Sequence, residues 1–270
     1  MARIAVLSDI HGNLIAFERV LADVRKRGAD MMVCLGDIVG YGPDPKECFD
    51  LARHCCRTIV AGNHERGVLE PSLAANWNGL ARAGIEHARA QLTSDDMLAL
   101  AALPATFTCE DKVFGVHDSP TPSAGSMTYL RTRSDAARAF QFVEHSIALI
   151  GHTHVPACFA TITEPFAPTE SDDVEAFQVA RRLLGAAQEH RGAFISSAEF
   201  DLPRFGRAIV NPGSVGQPRD GDNRASYAIL DLESLTVEFR RVAYDLERAR
   251  LRNEASRLPV ASSSRLALGA

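Results

Sequence analysis

Residues 3–28 read RIAVLSDIHGNLIAFERVLADVRKRG. Residues 3–7 are a short apolar run with the length of a strand, after which Leu14, Phe17, Val20, Leu21 and Val24 recur at the spacing of one helical face. Arg25, Lys26 and Arg27 crowd the helix end, where cations complement the dipole, and Gly28 stops it. The pattern then repeats. Residues 31–35 read as a strand, 45–54 as a helix with Pro45 in its first turn, and 57–60 as another strand. Strand and helix in alternation predict an α/β architecture with a parallel sheet in the N-terminal half.

Further along, residues 72–102 read as helical with a break near Thr93 and Ser94, where a hydroxyl precedes Asp95 and Asp96 as an N-cap does. Strands are expected at 106–109 and 112–116, a helix capped by Ser134 through about residue 144, and an apolar run at 146–150. From residue 157 the texture changes, with strand signals at 157–162, 207–210, 225–231 and 235–242 that predict a more antiparallel second half. Residues 163–206 hold a helical pattern at 174–190 flanked by Pro165, Pro168 and Pro203, read as an insertion or lid. A helix is expected at 245–257, and Ser262, Ser263 and Ser264 mark a mobile tail at 261–270 beyond a single domain of residues 1–260.

The chain has 270 residues, 46% hydrophobic and 23% charged, which suits a globular domain with a substantial core and excludes disordered and fibrous classes. A net charge of -5 gives no general attraction to nucleic acid or to an anionic membrane, so affinity for phosphate must be local. Nucleic acid then enters only as a substrate. No leader pattern is evident, and no run approaches the roughly eighteen apolar residues of a spanning helix, so no membrane partner is expected. Cys34, Cys48, Cys55, Cys56, Cys109 and Cys158 form no CxxC pair and lie in apolar segments, as in a reducing cytoplasm.

Metal-ligand residues gather where the strands end. VLSDIHGN supplies Asp9 and His11, VCLGDIVG supplies Asp37, IVAGNHE supplies Asn63 and His64, FGVHDSP supplies His117, and LIGHTH supplies His152 and His154. In open α/β sheets, sites form beyond the carboxyl ends of the strands, so these five segments are expected to converge. Extended backbone has a period of two, which would point Asp9 and His11 the same way, and likewise His152 and His154. Imidazoles mixed with carboxylates and one amide suit Mn, Fe or Zn, and a set this large exceeds what one ion takes. The remaining histidines, His54, His87, His145 and His190, read as surface or core residues.

In this order the motifs D-x-H, GD, GNH, a lone H and GHTH resemble the calcineurin-like metallophosphoesterases, and NPGSVGQPRDGD at 211–222 is similar to the C-terminal signature of their bacterial and archaeal phosphodiesterase, or diadenosine tetraphosphatase-like, branch. The resemblance implies a four-layered α/β sandwich, two central mixed β-sheets flanked by helices, with a dinuclear centre at one edge. It implies Asp9, His11 and His154 on one metal, Asn63, His117 and His152 on the other, and Asp37 bridging the two divalent or mixed-valence ions. A water made nucleophilic by two such ions would attack a small phosphate ester or nucleotide. His64 is implied as the catalytic imidazolium beside the leaving group, or else as the residue that orients Asn63. Asn63 and His64 would meet the substrate, with Arg219 as a phosphate clamp or a solvated turn arginine.

Three features depart from the pattern. GDIVGYG places Gly40 and Tyr41 where the protein-phosphatase branch carries an aspartate and an arginine, which argues against phosphoproteins as substrates. Asp118 stands where a glycine often follows the lone histidine, and residues 163–206 lie outside the resemblance. The leading expectation is a phosphodiesterase; a phosphomonoesterase of the same fold and a catalytically silent metal-binding scaffold are its rivals.

Overall fold

The computed structural model describes residues 2–121, 128–163, 169–177, 197–203 and 206–270. Two six-stranded mixed sheets lie at its centre. The first contains β1 (Arg3–Leu7), β2 (Met31–Cys34), β3 (Thr58–Ile59), β9 (Ser197–Asp201), β11 (Ala225–Asp231) and β12 (Thr236–Val242), in the order β3-β2-β1-β11-β12-β9. The second contains β4 (Thr106–Cys109), β5 (Val113–Val116), β6 (Ile147–Leu149), β7 (Pro156–Thr161), β8 (Glu175–Phe177) and β10 (Arg207–Pro212), in the order β4-β5-β6-β10-β7-β8. β1, β2 and β3 run parallel, as the opening stretch predicts, while β11, β12 and β9 pair antiparallel. β10 mixes both senses, lying parallel to β6 and antiparallel to β7.

Side-chain alternation builds the layers. On β1, Ile4 and Val6 enter the core between the sheets, whereas Ala5 and Leu7 face the opposite way, toward Phe17, Val20 and Val24 of helix α1 (Leu14–Arg27). β6 and β10 repeat this: Ile147, Leu149, Ala208 and Val210 join the inter-sheet core, while Ala148 and Ile209 meet Ala136, Ala137 and Phe140 of α6 (Arg133–Phe140). Strands covered on both faces read as continuous apolar runs, which is why these segments carry so few polar residues. The result is the four-layered sandwich that the motifs implied. Helices α2 (Pro45–Cys55), α3 (Asn63–Leu69), α4 (Gly79–Gln91) and α5 (Ser94–Ala101) complete the first half, and no described helix is long and apolar enough to cross a membrane.

Several local expectations change. Thr132, not Ser134, caps α6, because its hydroxyl accepts from the Asp135 N–H (3.1 Å) in a reciprocal capping box. Within 163–206, residues 175–177 are strand β8 on the edge of the second sheet, and 197–201 form β9 on the edge of the first. There the hydrogen-bonding groups of an open sheet edge outweigh a helical pattern; the rest of the expected helix, 178–190, lies outside the described residues. The tail is not loose. Following α7 (Leu246–Ala255), residues Val260–Leu268 form α8, which buries Ser262, Ser263 and Leu266, and the Gly221 N–H donates to the Gly269 carbonyl (3.0 Å). Apolar residues at 260, 266 and 268 were outvoted in the sequence by three serines.

Candidate active site

Five strands, β1, β2 and β3 of one sheet and β5 and β6 of the other, end at the same edge of the sandwich. Backbone bonds stitch the loops that follow them: Asp9 N–H to Gly36 O (3.0 Å), His11 N–H to Asp37 O (2.9 Å) and Gly151 N–H to His117 O (2.7 Å). The end of β10 and the segment after it clamp the two sheets together. Ser214 Oγ donates to the Asp9 carbonyl (2.7 Å), and Asn211 Nδ2 donates to the Gly151 carbonyl (2.6 Å).

The same-side pairing of ligands arises differently from the strand alternation expected. Asp9 (φ 54°), His11 (φ 49°), Asp37 (φ 52°), His152 (φ 65°) and His154 (φ 61°) all occupy the left-handed region. Strain of this kind costs roughly 1–3 kcal/mol per residue and persists where surrounding structure fixes it, most often at functional sites. Tight turns, not extended chain, bring these side chains together.

One group joins Asp9, His11 and His154. His11 donates through Nδ1–H to the Val39 carbonyl (3.1 Å) and His154 through Nδ1–H to the Gln217 carbonyl (2.6 Å), so each presents a bare Nε2 inward. Those two Nε2 atoms lie 3.1 Å apart, and His154 Nε2 lies 3.2 Å from Asp9 Oδ1. Burial lowers the pKa of both imidazoles, keeping them neutral at pH 7. Lone pairs without a proton to share therefore face one another, an arrangement a cation would relieve.

The second group joins Asp37, His117 and His152, with Asn63 Oδ1 3.1 Å from His117 Nε2. His117 donates through Nδ1–H to the Leu35 carbonyl (2.7 Å). Burial alone would lower its pKa, but the Asp37 carboxylate, 3.2 Å away, raises it to about 10. Burial first and then His117 push His152 down to about 3, and its Nε2 is buried without a partner. Asp37 Oδ2 faces both groups, 3.2 Å from His117 Nε2 and 3.7 Å from His11 Nε2. With Asp9 Oδ1 also buried and unpartnered, the donor set fits cations on either side of Asp37.

Of the three expected substrate contacts, Asn63 belongs to the second group, and His64 and Arg219 border the cluster. His64 donates its backbone N–H to Asp37 Oδ1 (2.8 Å), while its Nδ1 is pressed on Gly40, where a β-carbon would lie 2.0 Å away. Gly40 (φ 85°) thus allows both the turn and the approach. His64 falls within ligand reach of His11 and Asp37, its ring lines the cavity, and its Nδ1 is buried without a partner. Burial holds its pKa at about 4, so the imidazolium expected from the sequence is not its resting state; desolvation outweighs the attraction of Asp37. Arg219 is held by Gln217 Oε1 (2.9 Å) with its guanidinium over Tyr41, and its Nε is buried without a partner. Both residues line a cavity of about 220 Å³ with Asn63, Tyr41, Trp77 and Tyr129. Asp118 is half-buried and joins none of the ligand groups among the described residues.

Sequence reasoning missed Glu65. Its buried carboxylate accepts from the N–H groups of Asp37 (2.8 Å), Ile38 (2.7 Å), Val39 (3.2 Å) and Gly62 (2.8 Å), fixing the loop that carries Asp37. Gly62 is required there, since a β-carbon would lie 2.2 Å from Asp37 Oδ1. Burial and the Asp37 carboxylate push Glu65 up to about 7 against the pull of these donors. A glutamate at the third position of α3 was the available signal. Glu65→Ala strands four buried donors and is expected to cost about 3 kcal/mol, lowering the melting temperature by roughly 6–10 °C. A melting curve unchanged from wild type would show that Glu65 does not organise this loop.

Comparison with known proteins agrees with the fold. The family profile of the calcineurin-like phosphoesterases matches residues 2–156. An uncharacterized protein of Methanocaldococcus jannaschii is 33% identical over 270 residues, covering 98% of each chain. The crystal structure of a metallophosphoesterase from Sphaerobacter thermophilus superposes with a TM-score of 0.79 and 32% identity, covering 100% of this chain and 99% of the other. A hypothetical protein from Pyrococcus horikoshii shares the fold, with a TM-score of 0.73 at 20% identity over 100% and 99% of the two chains.

Proposed function

The chain belongs to the calcineurin-like phosphoesterase family, and from that premise we propose that it hydrolyses phosphodiester or nucleotide-like phosphate esters at a dinuclear metal centre. Asp9, His11 and His154 would hold one ion, Asn63, His117 and His152 the second, and Asp37 would bridge them. The observation that carries this reading is the position of Asp37 Oδ2, within 3.7 Å of an imidazole nitrogen in each group. The donor set suits Mn, Fe or Zn. When bound, two such ions would polarise the phosphoryl oxygens and make a water nucleophilic at neutral pH.

The protein's own groups do the rest. Arg219 offers its buried, unpartnered Nε–H and a guanidinium to a phosphate oxygen in the cavity. His64 offers the leaving oxygen an Nε2–H, and the negative charge of a phosphate beside it raises its proton affinity from the resting value, which readies it as a general acid. Tyr41 in place of an arginine, together with the small cavity, supports small esters over phosphoproteins. Six free cysteines accord with a reducing cytoplasm.

The test is an assay of protein reconstituted with Mn, Fe or Zn against bis-p-nitrophenyl phosphate, p-nitrophenyl phosphate and a dinucleoside polyphosphate. Diester or dinucleotide turnover that disappears with a chelator and returns with metal is the expected result. Turnover of the monoester alone would overturn the diester assignment, and bound metal without any turnover would favour the silent scaffold.

A further inference from the structure

Among the cavity walls that the proposed chemistry leaves unused, the largest side chains are aromatic. Tyr129, 41% exposed, is already engaged twice: its ring stacks on His152 at 4.4 Å with planes 24° apart, and the Arg131 guanidinium lies 4.4 Å from the same ring centroid. Trp77, the one tryptophan of the chain, is half-buried and lines the same cavity. The edge of its six-membered ring rests on Gly67, where a β-carbon would lie 3.1 Å from Cη2 and 3.2 Å from Cζ3, and it packs on the core cluster that contains Ile85. The indole is therefore held in place before any ligand arrives.

Its other neighbour is His64, at 5.1 Å between ring centroids. If His64 marks the leaving-group side, as proposed above, the departing group emerges beside the indole. Asn78 stands at the same rim; its Oδ1 accepts from the Ala81 N–H (3.0 Å), so its amide Nδ2 is the group it offers to the cavity. We propose that Trp77 is the specificity-determining wall of the leaving-group side, stacking a planar aromatic group such as a nucleobase. The site then prefers nucleoside phosphate esters to esters that carry only a sugar or an alkyl chain. Base-on-aromatic stacking is typically worth roughly tenfold or more in affinity.

AMP and ribose 5-phosphate, which differ only in the base, test this in the metal-loaded protein. AMP is expected to quench the fluorescence of Trp77 and to inhibit bis-p-nitrophenyl phosphate hydrolysis at roughly tenfold lower concentration than ribose 5-phosphate. Trp77→Leu should bring the two inhibitors to parity, and Trp77→Phe, which keeps an aromatic face, should retain most of the difference. Equal inhibition by both compounds in the wild type, or a preference that survives Trp77→Leu, overturns the assignment while leaving phosphoester hydrolysis intact. Should the wild type hydrolyse no phosphoester at all, the proposed function fails, and the fluorescence titration of AMP against ribose 5-phosphate still decides the role of Trp77.

Discussion

Asp37→Asn is expected to leave the chain folded while stripping it of bound metal and lowering phosphodiester turnover on the order of a thousandfold, equivalent to about 4 kcal/mol. Asparagine keeps an oxygen in place of Oδ1, so the bond from the His64 N–H (2.8 Å) survives and the start of α3 stays in place. The oxygen that faces both ligand groups loses its charge. His117, whose pKa the Asp37 carboxylate raises to about 10, then loses the partner 3.2 Å away that favours its proton. Metal content and melting temperature, measured together, separate loss of the centre from loss of the fold. A variant that binds two equivalents and turns over like the wild type would remove Asp37 from the centre of the site.

His64→Ala is expected to retain its metals and to lose about 10² to 10⁴ in diester turnover, the range of general acid contributions. The loss should be larger for an alkoxide leaving group than for p-nitrophenolate, which departs with little help from a proton. That contrast tests proton donation itself, because a residue that only positions Asn63 would slow both substrates alike. A second contrast separates His64 from the ligands: Asn63→Ala should weaken metal binding, whereas His64→Ala should not. Metal lost from His64→Ala and kept by Asn63→Ala would reverse the assignment and admit His64 to the group it forms with His11 and Asp37.

Much of this site is legible in the sequence because the chemistry sits on local motifs at strand ends. Asp9, His11, Asp37, Asn63, His117, His152 and His154 each follow an apolar run, and the sheet topology carries all of them to one edge. The means of convergence was not legible. Spacing by two implied extended chain, whereas five of these residues turn through the left-handed region, a conformation fixed by bonds from distant loops such as Ser214 Oγ to the Asp9 carbonyl. Glu65 and Trp77 were missed for a related reason: one serves backbone N–H groups up to 28 residues earlier in the chain, and the other is oriented by packing on Gly67. Composition likewise hid α8, in which Ser262 and Ser263 face inward against the fold.

The charge of His64 shows the limit of motif reasoning in another form. A motif names the residue and its neighbours, but burial decides which proton it carries, and here burial leaves the resting imidazole neutral. The acid role then depends on the anionic substrate that enters beside it.

The most direct test of the central claim is anomalous diffraction from crystals grown with manganese. The expected result is two peaks, one bounded by Asp9, His11 and His154 and the other by Asn63, His117 and His152, with Asp37 between them. A single peak, or one coordinated by both His152 and His154, would contradict the division of ligands on which the account rests.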